Sequence, residues 1–105
     1  MTDALIVLTT LPNADSAAAL AKTIVDERLA ACANILPAVR SIYRWQDKVQ
    51  DEPEVLVLFK TQRAHFDGLR SRILELHPYE VPEVLALPVE QGHAAYLEWL
   101  MRETR

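Results

Sequence analysis

Two unbroken apolar runs, Leu5-Ile6-Val7-Leu8 and Val55-Leu56-Val57-Leu58-Phe59, limit what this chain can fold into more than any other feature. Successive side chains of a strand point to opposite faces. A strand without alternation is therefore apolar on both faces and must be covered on both. The remaining sequence reads as βαββαβ followed by a last helix. Two crossover helices cover one face of a sheet built in that order. The final helix, Ala94 to Thr104, is too short to shield two central strands. Another copy of the chain is the simplest cover for the second face.

The elements follow from local signals. Leu5–Leu11 reads as the first strand, broken by Pro12-Asn13. Asn13 or Asp15 is placed to cap a helix over Ser16–Ala31, where Leu20 and Ile24 form one row and Ala21, Val25 and Leu29 the next. Cys32–Leu36 begins a strand that Pro37 interrupts and that resumes over Val39–Trp45. Gln46-Asp47-Lys48 is a polar tip, with Asp47 suited to a left-handed turn conformation. The chain returns through Val49 and Glu54–Lys60, completing a long hairpin. Thr61 is the expected N-cap of a helix from Gln62 to Leu76. A buried strand is expected over Glu83–Val89, then a turn at Gln91-Gly92 and the last helix. The two βαβ-like halves predict an α+β fold, a ferredoxin-like sandwich with an extra C-terminal helix. A chain of 105 residues fits one domain, residues 1–105.

Between the second helix and the last strand lies Leu76-His77-Pro78-Tyr79-Glu80-Val81-Pro82-Glu83. Pro78 disfavours the α conformation at His77 and so ends the helix there. Pro82 acts likewise on Val81. Two prolines four residues apart make a stiff, extended connector. It carries an imidazole, a phenol and carboxylates, and rigid loops of this kind position functional groups. The other reading of the stretch is a proline-braced turn whose side chains only cap their neighbours.

The totals exclude several function classes. The formal net charge is −4 with no basic run, which argues against nucleic acid. Met1-Thr2-Asp3-Ala4 has no basic n-region of a signal peptide, no membrane segment is legible, and a single cysteine cannot form an internal disulfide. A cytoplasmic protein is expected. Only Gly68 and Gly92 occur, too few for a phosphate-cradling loop. HExxH, CxxC and GxSxG are absent, so neither an enzyme nor an organic cofactor is expected. Cys32, with only alanines beside it, reads as a buried packing residue. His65 reads as a surface residue and His93 as a helix-start residue, which leaves His77 as the histidine of interest. Tyr43, Trp45, Tyr79, Tyr96 and Trp99 suit interfaces and pockets equally. Tyr43 and Trp45 lie near the tip of a hairpin too long to be stable alone, which marks it as an assembly element. Lys60, ending a hydrophobic strand, either snorkels to water or meets an anion.

Taken in order, several blocks resemble the CutA family of divalent-cation tolerance proteins. They are Leu29-Ala30-Ala31-Cys32-Ala33-Asn34-Ile35, Ser41-Ile42-Tyr43-Arg44-Trp45, Phe59-Lys60-Thr61, His77-Pro78-Tyr79-Glu80-Val81-Pro82-Glu83, Ala86-Leu87-Pro88-Val89 and Tyr96-Leu97-Glu98-Trp99. The resemblance implies a ferredoxin-like fold, a compact homotrimer, and kinship with the PII signalling proteins, which bind small ligands between subunits. It also implies a part in tolerance and response to copper and other divalent ions, with no reaction attached. The family's copper site, assigned in some members to a thiol on the first strand and two consecutive histidines, is replaced here by Thr9 and Leu76, so that only His77 carries over. The hairpin tip also departs, with Gln46-Asp47 where glycine is frequent. The resemblance thus leads to a cytoplasmic homotrimer in copper tolerance and homeostasis, binding copper or another divalent cation weakly through His77. The alternative is a PII-like sensor or scaffold that holds a small anion between subunits, lined by Lys60, Tyr43, Trp45, Tyr79 and Glu80.

Overall fold

The computed structural model describes residues 1–105. Its elements are β1 (Ala4–Leu11), α1 (Ala14–Asp26), β2 (Cys32–Trp45), β3 (Lys48–Gln62), α2 (Phe66–Leu76), β4 (Leu85–Pro88) and α3 (Ala94–Glu103). The sheet order is β2-β3-β1-β4, every neighbouring pair antiparallel. This is the split-βαβ arrangement that the element order predicts, with α3 appended.

The register explains the doubly apolar strands. Leu5, Val7, Thr9 and Leu11 of β1 are buried on the helix-covered face, as are Val55, Val57, Phe59 and Thr61 of β3. They pack with Leu20, Ala21 and Ile24 of α1 and Leu69 and Ile73 of α2. The alternate residues point the other way. Ile6, Leu8, Leu56 and Leu58 are half-buried, and Leu36, Leu85 and Leu87 are 38%, 55% and 50% exposed. Seven apolar side chains thus share a face on which neither crossover helix lies. α3 covers only one end of the sheet, where Lys60 lies over the Tyr96 ring and Leu100 is buried.

Four local expectations are corrected. α1 stops at Asp26, not Ala31. Arg28 takes φ 61°, and the Arg28 and Leu29 amides donate to the carbonyls of Val25 and Ile24, the pattern of a Schellman C-cap. Thr61 is not a cap, because β3 runs on to Gln62 and a short 3-10 turn, Arg63–His65, precedes α2. Its buried hydroxyl donates instead to the Leu29 carbonyl at 2.7 Å. The last strand is shorter than expected, Leu85–Pro88, and exposed, because it forms a sheet edge. Cys32 is partly exposed where burial was expected, since it opens β2 on the opposite edge.

The Asn13 cap is present, accepting from the Ser16 amide at 2.8 Å. The hairpin turns on Gln46 and Asp47, both at positive φ, 51° and 65°. The Pro37 interruption is a bulge between Leu36 and Val39. Beyond it the two strands run on as an arm with Ile42 and Val49 about two-thirds exposed.

Thr9 is fully buried on the helix-covered face, and its hydroxyl is the one buried side-chain polar atom without a partner. A desolvated, unpaired hydroxyl costs about 1–3 kcal/mol. Thr9→Val keeps the shape and removes the hydroxyl, so it is expected to raise the urea midpoint of unfolding, by about 1 kcal/mol of stability. A lowered midpoint would show that the hydroxyl is satisfied in solution.

Candidate functional site

The proline-braced connector drapes over the end of β1. His77 is the C-cap of α2, its amide donating to the Ile73 carbonyl at 2.8 Å and its backbone extended, as a residue before proline should be. The residue is 8% exposed. Nε2 lies 2.8 Å from the Thr10 carbonyl oxygen. A carbonyl only accepts, so Nε2 carries the hydrogen. Nδ1 is then the lone-pair nitrogen, and it accepts the Tyr79 amide at 3.1 Å. Both nitrogens are used in fastening the connector.

From this anchor Tyr79 reaches outward. Its ring stacks tilted against His77, centroids 4.8 Å apart, and its hydroxyl donates to Glu54 Oε2 at 2.7 Å. Glu54, on β3 beside the bulge, is 9% exposed and has no lysine or arginine partner. Burial, then the hydrogen bond and charge of Glu54, push the Tyr79 phenol well above its usual range. Burial, then the charge of Glu54, raise the Glu83 carboxyl.

Together these groups border a cleft of about 440 Å³, lined by Thr10, Tyr43, Trp45, Glu52, Glu54, Pro78, Tyr79, Glu80, Val81 and Glu83. The bulge makes this possible. Before it, the even-numbered Leu36 shares a face with Leu56; after it, the odd-numbered Val39, Tyr43 and Trp45 share the face of Glu54 and Glu52. One extra residue reverses the parity of the strand. The cleft has two aromatic side chains from the hairpin arm, a third from the connector, and carboxylates on both walls. No basic side chain lines it.

The match to known proteins decides the family. Residues 5–103 fit the family model described as CutA1 divalent ion tolerance protein. The chain belongs to the CutA1 divalent ion tolerance family. A divalent-cation tolerance protein CutA of Thermus thermophilus is 48% identical over 99 residues, covering 94% of this chain and 96% of that one. The crystal structure of CutA from Xylella fastidiosa superposes with a TM-score of 0.96 at 38% identity, over 99% of this chain and all of the other. A chloroplastic CutA 1 of rice is 44% identical over 96% of this chain, which spans 57% of the rice protein's length. These relatives carry tolerance-protein or plain CutA names, not those of enzymes.

Among the residues singled out in this CutA sequence, Tyr43, Trp45, Tyr79 and Glu80 meet in the cleft. His77 sits behind it, holding Tyr79. Lys60 is elsewhere, over Tyr96 at 5.7 Å from the ring centroid. Glu52, Glu54 and Thr10 went unnoticed in the sequence. Glu54 had one signal, a charge heading an otherwise apolar strand, but its burial depends on Tyr79, 25 residues away. No three His, Cys, Asp or Glu side chains converge on a metal-sized point anywhere in the chain.

His77 also makes stability depend on pH. Burial lowers its pKa, only partly offset by the Thr10 carbonyl and the charge of Glu54. Folding therefore favours the neutral ring. The unfolded chain takes up its proton first, near an ordinary value of about 6.5. Stability contributed above that pH is expected to fall as pH drops through about 6.5, levelling off below the depressed native value. His77→Gln should flatten this part of the profile in urea titrations across pH 7.5 to 4.5. An unchanged slope would assign it to other groups.

Proposed function

We propose that this chain is a cytoplasmic homotrimer serving divalent-metal tolerance and homeostasis, copper included, through a cleft that selects cations. The observation that carries the reading is the lining of the cleft. It has four carboxylates and no lysine, arginine or histidine. Such a surface concentrates cations and repels anions. The alternative, a small anion held between subunits in PII-like fashion, draws no support from this cleft, because Lys60 of the same chain is not in its lining.

The trimer reading rests on the open face. Its seven apolar side chains form the kind of patch that marks a subunit contact, and three is the number that the CutA resemblance implies. The hairpin arm, with little core of its own, is the element that reaches a neighbour. For location, the support is that no helix is long and apolar enough to cross a membrane and that the one cysteine has no partner within the chain.

Metal binding is weak in this reading, because no closed ligand set exists and a single imidazole would first have to give up the Tyr79 amide. Calorimetric titration of copper into the wild type, Glu54→Gln and His77→Ala tests it. A dissociation constant of about 1 μM or weaker is expected, weakened further by Glu54→Gln. Tight, stoichiometric binding lost only in His77→Ala would overturn the cleft and return the site to the imidazole.

A further inference from the structure

We draw no further inference here: the strongest candidate, the apolar groove between α1 and the free edge of β2 that Val25, Ile35 and Trp99 line, adjoins the strand that runs on into the arm already assigned to the subunit contact, and nothing in the structure shows what covers it.

Discussion

Leu58→Lys, and Leu8→Lys likewise, are expected to leave a folded monomer of 11.9 kDa, and the unmodified chain, in the trimer proposed above, to scatter light as roughly three times that mass. Leu8 and Leu58 are direct cross-strand partners on the two central strands. They point to the open face, in the middle of Ile6, Leu36, Leu56, Leu85 and Leu87. An ammonium there is harmless in a free subunit, since water reaches that face. In an assembly that covers the face it is an unpaired buried charge, costing several kcal/mol per subunit. Association should weaken at least about a thousandfold, a change of ~4 kcal/mol. The far-ultraviolet circular dichroism should hold, because the helix-facing core lies on the other side of the sheet. A variant that keeps the unmodified mass on dilution would show that this face is not the contact. A monomeric parent protein would remove the premise.

The opposite face of the same strand should behave differently. Phe59→Ala is expected to cost about 3–5 kcal/mol of stability, from lost transfer free energy and the cavity left behind. Phe59 is fully buried, adjoins Val7 on one side and Ala33 on the other, and is the largest fully buried side chain. A domain of this size has about 5–15 kcal/mol in total, so the variant stands near its unfolding threshold. Phe66→Ala, only partly buried at the start of α2, should cost clearly less. Urea unfolding at one fixed protein concentration gives the comparison, since association contributes to apparent stability. A loss below 1 kcal/mol for Phe59→Ala would mean that this core collapses to fill the space.

The two substitutions sit one residue apart and should act on different properties, assembly and folding. That contrast is legible in the sequence. An apolar run without alternation says that both sides of a strand are covered, and element order says that helices supply only one cover. Pro78 marked the end of α2 at His77, Pro37 marked the bulge, and Asp47 marked the left-handed turn, because each signal is a restriction on one residue's own dihedral angles. Where a boundary lay in contacts beyond the turn, sequence reading missed it. α1 ends five residues early on Arg28, a position where glycine would have announced the cap. Thr61 looked like a cap until its hydroxyl found the Leu29 carbonyl, 32 residues away.

The candidate site divides along the same line. His77, Tyr79 and Glu80 were visible because they share one short, stiff connector, and Tyr43 and Trp45 because exposed aromatics near a hairpin tip stand out. The sequence by itself determined the element order, the two apolar faces, the rigidity of the connector and the membership in a family. Only the tertiary structure decided the sign of the cleft. It placed Lys60 at the far end of the sheet and brought Glu52 and Glu54 beside the aromatics, through a bulge that shifts β2 by one residue against β3. In a strand, one residue is the difference between facing the cleft and facing away. That shift is set by pairing across the sheet, which local dihedral preferences do not encode.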